Sequence, residues 1–344
     1  MPRFLFFRDR PGTDPKDGVI ELGMNIYQKI KEKEGYISAL APMEGVTDSV
    51  FRQILCDIGR PDLFFTEFLN VEGFCSKGRE KVMHRLQFVK KEKPVVVQLW
   101  GNVPEYYIET VKYVKTLKPD GIDINVGCSV RDVLSSGRCS ALIKERALVR
   151  EIVEAVKSES GGIPVSVKTR LGYDVIDIEG WIGFLLKLNL DLITIHGRIS
   201  KEGYSTPSRW DEIAECVKLR DEISPNTLII GNGDVKNLKQ GQAYVKKYGV
   251  DGFMIARGIL NNPWLFSGRD KSEITKEERI DVLVKHLKLF EKSWDGTKPF
   301  NSQKKYIKAY IGGFKGANEL RKNLMRMNST VEIREYLEGE NLLS

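Results

Sequence analysis

The chain has 344 residues, 41% apolar and 29% charged, the composition of a soluble globular protein with room for one barrel-sized domain and a smaller unit. Its formal charge of +7 favours a polyanionic partner. Five cysteines, at 56, 75, 128, 139 and 216, form no Cys-x-x-Cys pair and read as free thiols of a reducing compartment; with histidines only at 84, 196 and 286, no metal site is expected. No apolar run reaches bilayer length, and Phe4–Phe7 is too short a core for a signal peptide, so a cytoplasmic chain without membrane contact is expected.

Residues 1–34 form an extension. Pro11, Gly12, Pro15 and Gly18 break its first half, and Leu22–Glu34 has helical spacing. It is expected to pack on the outside of the main domain or to be partly disordered. From Tyr36 a regular alternation begins. Short β-type runs fall at Tyr36–Ala41, Asp62–Thr66, Pro94–Leu99, Gly121–Asn125, Pro164–Thr169, Leu192–His196, Thr227–Gly231 and Gly252–Ala256. Amphipathic stretches of helical length lie between them, at Pro104–Leu117, Lys144–Ser158, Ile178–Leu188, Arg209–Ile223 and Asn237–Tyr248. This alternation predicts an α/β fold, a (β/α)8 TIM barrel over residues 35–266. A doubly wound sheet is disfavoured, since no Gly-x-Gly-x-x-Gly follows the first strand.

Residues 267–344 read as a small all-helical C-terminal domain, with helices at Glu277–Ser293, Gln303–Gly312 and Ala317–Met327. Between Lys298 and Arg326 eight basic residues face one acid, Glu319. A one-signed face carrying Lys304, Lys305 and Lys308, with Tyr306, Tyr310 and Phe314 interleaved, points to a nucleic-acid surface.

In a barrel the site gathers at the carboxyl ends of the strands. Those ends read Ala41-Pro42-Met43-Glu44-Gly45, Thr66-Glu67-Phe68, Gln98-Leu99-Trp100-Gly101, Asn125 to Cys128, Lys168-Thr169-Arg170, His196-Gly197-Arg198, Gly231-Asn232-Gly233-Asp234 and Ala256-Arg257-Gly258. Each is polar where a buried strand should stop. The glycine-flanked turns of the last two, with Arg257, suit a phosphate. Gln98 and Lys168 suit an amide-and-cation clamp on a flavin ring, and His196 suits ring or phosphate. Cys128, on a Ser- and Gly-rich loop at a strand end, is the candidate reactive group.

With these motifs the chain closely resembles the tRNA-dihydrouridine synthases over residues 36 to about 266. The motifs that carry the likeness run from Ala41-Pro-Met-Glu-Gly-Val-Thr-Asp48 through Asp123-Ile-Asn-Val-Gly-Cys128 and Ser166-Val-Lys-Thr-Arg-Leu-Gly172 to Ala256-Arg-Gly258. The segment Lys304–Arg321 looks like that family's RNA-binding domain. The resemblance implies FMN as cofactor, NADPH as reductant and an RNA partner, tRNA foremost, with the chain acting as a monomer. Pro42, Met43 and Glu44 would line the flavin, and Gln98 and Lys168 would hold its ring. Asn232, Gly233, Asp234, Ala256 and Arg257 would hold its phosphate. Asn125, Arg170 and Arg198 would face the uridine or nearby RNA. Cys128 would protonate C5 of uracil after hydride reaches C6, at an unshifted thiol pKa of about 8.5.

Two residues depart from the family pattern. Ser129 stands where proline usually follows the cysteine, which frees the backbone, and Asp132 puts negative charge where RNA should approach. The competing readings are a flavin reductase of a small molecule, a flavin-containing RNA-binding protein with an impaired loop, and a dihydrouridine synthase acting on ribosomal RNA.

Overall fold

The computed structural model describes residues 23–342 except 204 and 295. The Pro11-to-Gly18 part of the expected extension lies outside the described residues. The strands are β1 (Ile37–Leu40), β2 (Phe64–Phe65), β3 (Leu69–Asn70), β4 (Val95–Trp100), β5 (Gly121–Asn125), β6 (Val165–Arg170), β7 (Leu192–His196), β8 (Leu228–Asn232) and β9 (Gly252–Ile255). All pairings are parallel, in the order β1-β9-β8-β7-β6-β5-β4-β2, and β3 continues the second strand position along β4. A single bridge, Ala39 to Leu63, joins β1 to the start of β2. The fold is therefore a (β/α)8 barrel, its eight strand positions those expected from the sequence.

Alternation along each strand separates two cores. In β4, Val95, Val97 and Leu99 pack outward against the helices, while Val96 joins an inner cluster with Ile37, Phe65, Leu192, Ile230 and Met254. In β5, Ile122 and Ile124 take the outer face, and Asp123 and Asn125 are buried with them on the same strand. At the amino-terminal ends, four aspartates preceding strands cap backbone N–H groups of neighbouring strands. Asp62 accepts from Ser38, Asp120 from Val95, Asp191 from Val165 and Asp251 from Ile229, at 2.7 to 2.9 Å.

The helix Ile26–Glu34 corrects the expected place of the extension. It neither lies on the outside nor stays loose but closes the amino-terminal end of the barrel. Tyr27 and Ile30 are buried in the inner cluster. Asn25, its N-cap, reaches Asp191 at 2.8 Å, and Lys31 pairs with Asp251. Gly121 makes the room: a Cβ there would collide with the Tyr27 hydroxyl. The apolar spacing of this segment suits a plug as well as a surface helix, and sequence alone cannot separate the two.

Of the helices between strands, Ser49–Ile58, between β1 and β2, was not anticipated; the five expected ones fall where the periodicity placed them, except at Ile178–Leu188. There a π-turn over Ile178–Ile182, capped by Asp177, leads into a short α-helix, Gly183–Leu186. Beyond the barrel come helices at Lys276–Trp294, Lys304–Tyr310 and Ala317–Leu324, and a further one that the periodicity did not reveal, Thr330–Gly339. Its start is signalled by Ser329, whose hydroxyl accepts from the N–H of Glu332. Lys276–Trp294 packs on the barrel helix Ser49–Ile58.

Two of the three interleaved aromatics of this region are not on its surface, and Phe314 is partly exposed. Tyr306 and Tyr310 are 1% and 0% exposed, and their rings pack against His286 with centroids 4.3 and 5.7 Å away. They build the helical core, as the apolar face of an amphipathic helix must.

Candidate active site

The loop after β5 begins with a side-chain cap. The Asn125 side-chain oxygen accepts from the N–H of Gly127 and of Cys128, both at 3.0 Å. Arg170, at the end of β6, fixes the same loop from the other side. Its guanidinium donates to the Gly127 carbonyl at 2.7 Å and to the Ser129 hydroxyl at 2.9 Å. Arg170 thereby holds the Ser129 side chain and the Gly127 carbonyl on one side of the loop. Asp132 is exposed, in the short helix Arg131–Ser135.

Cys128 is half-buried, and the Cys139 thiol is the neighbour that acts on it most strongly. Ser140, next in the chain, binds the Cys128 carbonyl through its N–H at 3.1 Å and its hydroxyl at 2.8 Å. Cys139 is the main influence holding the Cys128 thiol down at about 6, against the opposing effect of burial. The Val130 N–H and the charges of Arg170 and Lys168 add to it. Cys139, conversely, is held well above the ordinary thiol range by Cys128 and then by burial. The unshifted value expected from sequence is thus corrected, because no sequence signal joined two cysteines eleven positions apart.

Lys168 lies on the strand next to β5, its ammonium donating to the Asn232 side-chain oxygen at 3.2 Å. Burial, then the neighbouring Arg170 charge, push its pKa down to about 8. Asn232 is oriented in turn by the Met254 carbonyl at 2.8 Å. Burial holds His196 well below its usual range, with the Lys168, Arg170, Arg198 and Arg257 charges acting the same way. It is therefore a neutral imidazole. Its Nε2 lies 2.9 Å from the Arg198 guanidinium, which can only donate, so Nε2 is the acceptor.

These groups converge on one cavity of about 1020 Å³, at the carboxyl ends of the strands. Pro42, Met43, Glu44, Asn125, Cys128, Lys168, Arg170, His196, Arg198, Asn232, Gly233, Asp234, Ala256 and Arg257 all line it. Gly233 takes a backbone φ of +118°, and a Cβ there would collide with the Ser208 hydroxyl. Among the lining residues, Lys236 and Met254 were not anticipated. Lys236 could have been found as a cation three residues past a glycine turn, but Met254 reads only as a strand residue.

Two expectations need correction by position. Gln98 does not line the cavity; it is fully buried, its amide donating to Asp123 at 2.7 Å and accepting from Asn125 at 3.0 Å. Arg170 and Arg198 line it, as expected, and also bind the protein. Arg198, 1% exposed, donates to both Asp234 oxygens at 2.7 and 2.9 Å and to the Thr206 carbonyl. Lys305 is half-buried and donates to the Gly45 carbonyl, while the Tyr306 hydroxyl donates to that of Val46. With Lys298 paired to Asp48 at 2.7 Å, these residues dock the helical region onto the loop after β1. Lys308 is exposed and Lys304 partly so.

A parallel barrel with a large cavity, a low-pKa thiol and a half-buried lysine at its carboxyl-terminal rim defines a barrel enzyme. Residues 39–343 match the family model of dihydrouridine synthase (Dus), and the chain belongs to that family, a family of oxidoreductases. It is 43% identical over 302 residues to a probable tRNA-dihydrouridine synthase of Staphylococcus aureus, covering 87% of this chain and 91% of that protein. It is 41% identical over 302 residues to probable tRNA-dihydrouridine synthase 2 of Bacillus subtilis, covering 87% of this chain and 92% of that one. No helix among the described residues is long and apolar enough to cross a membrane.

Proposed function

We propose that this chain reduces uridine to 5,6-dihydrouridine in tRNA, using FMN and NADPH. The carrying observation is that Cys128 and Lys168 face one cavity from adjacent strands, with further cations in its lining. The cavity fits a flavin chemically. Arg257 and Lys236 suit a phosphate beside Gly233, Met43, Met254 and Ala41 offer apolar wall, and Lys168 suits the anionic reduced ring. Bound FMN, reduced by NADPH, supplies a hydride to C6 of uracil.

The protein's own part is to orient and to protonate. Lys168, held by Asn232, places a positive charge in the cavity. The loop pinned by Asn125 and Arg170 presents the Cys128 sulfur to the same space, where it delivers a proton to C5. The base must leave its RNA stack to enter. The helical stretch 267–344, docked beside the mouth, grips the RNA backbone through Lys304 and Lys308 rather than through Lys305.

Replacing Cys128 tests the reading. Cys128→Ala should keep flavin and RNA affinity but lose nearly all dihydrouridine formation, followed by mass spectrometry of tRNA. Full activity in that variant would remove Cys128 from the reaction.

A further inference from the structure

Asp123 sits in the barrel interior, fully buried, where apolar neighbours such as Val96 and Ile230 would fill the space without a charge to desolvate. Its surroundings explain its presence. One oxygen accepts from the Ser166 hydroxyl at 2.6 Å and the other from the Gln98 amide at 2.7 Å. The Gln98 oxygen accepts from the Asn125 amide at 3.0 Å, and the Asn125 oxygen accepts from the Gly127 and Cys128 N–H groups. At the far end the Tyr27 hydroxyl donates to Ser166 at 3.3 Å.

The ends of this relay dictate its direction. Burial pushes the Asp123 carboxyl up to about 6; once ionised it only accepts, so Gln98 then turns its NH2 to Asp123 and its oxygen to Asn125. Backbone N–H groups only donate, so Asn125 must turn its oxygen to the loop. The two requirements agree: a flip of Gln98 breaks two bonds and a flip of Asn125 breaks three.

We propose that Asp123, which neither lines the cavity nor touches Cys128, is the positioning residue that sets the start of the Cys128 loop, acting through Gln98 and Asn125. The use of that position rests on the reading of Cys128 as proton donor; the position itself does not. When the relay is cut, Asn125 loses its acceptor, and the loop N–H groups lose their cap. The Cys128 sulfur then leaves the Cys139 thiol and the Val130 N–H that favour its anion. The charged groups facing it are Lys168 and Arg170, with Glu72 and Arg138 beside Cys139.

The test is the pH dependence of Cys128 alkylation by iodoacetamide in the full-length protein as purified, followed on the Cys128 peptide. Asp123→Leu and Gln98→Met should each move the midpoint up, slowing alkylation at pH 6 by about tenfold for each pH unit the midpoint moves. The paired exchange Asp123→Asn with Gln98→Glu should restore the original midpoint. The new amide at position 123 then donates to the new carboxylate at position 98, which still accepts from Asn125. An unmoved midpoint in Asp123→Leu, or a pair displaced as far as Gln98→Met, overturns the proposal. Should Asp123→Leu fail to fold, Gln98→Met and the pair decide. Activity retained in Cys128→Ala would overturn the proposed reaction while leaving this result standing.

Discussion

The Cys139 thiol pulls the Cys128 thiol down, and that influence changes what pH should do to the reaction. A donor must hold its proton. With the thiol at about 6 rather than about 8.5, its protonated fraction falls across the neutral range instead of above it. The ratio kcat/KM for tRNA, which reports groups of the free enzyme, should therefore decline as pH rises from about 6 to 8. Cys139→Ala removes that influence and should move the decline to higher pH; profiles of both proteins that stay flat over this range would separate the thiol from the rate. At this scale the sequence was readable where one residue carries its own chemistry, as at Cys128, Lys168 and Arg257. It was not readable where a side chain is consumed by a partner. Gln98 and Lys305 were chosen by type, and each makes its hydrogen bonds inside the protein.

At the scale of elements, the strands were legible because a parallel barrel buries both faces and leaves continuous apolar runs ending in polar residues. The inter-strand helices were legible from their amphipathic spacing, and the π-turn at Ile178–Ile182 was not, since one extra residue per turn barely disturbs that spacing. The helix Ile26–Glu34 carries the sharpest test. Tyr27→Ala empties a fully buried site at the barrel base and should cost about 3–5 kcal/mol in urea unfolding. Tyr27→Phe loses only the long hydrogen bond to Ser166 and should cost about 1 kcal/mol or less. Equal and small losses in both would mean that the helix does not plug the barrel in solution.

For the molecule as a whole, the net charge of +7 and the basic run after Lys298 pointed to RNA, but the fold divides those cations into two sets. Lys298 and Lys305 fasten the helical region to the barrel, and Lys304 and Lys308 remain towards solvent. Replacing Lys304 and Lys308 by alanine should lower the slope of log affinity against log salt by about 0.7–0.9 for each phosphate no longer neutralised, read in gel shifts at several salt concentrations. An unchanged slope places the RNA on another face. Sequence by itself determined the barrel, the family motifs and the thiol at a strand end, because periodicity and strand-end polarity are local properties of the chain. Only the tertiary structure decided that the amino-terminal helix is a plug, that two cysteines eleven positions apart influence each other, and that an interior aspartate is linked through two amides to the reactive loop. Those facts depend on which side chains, distant in the chain, meet in a space from which water is excluded, where every donor and acceptor must find a partner.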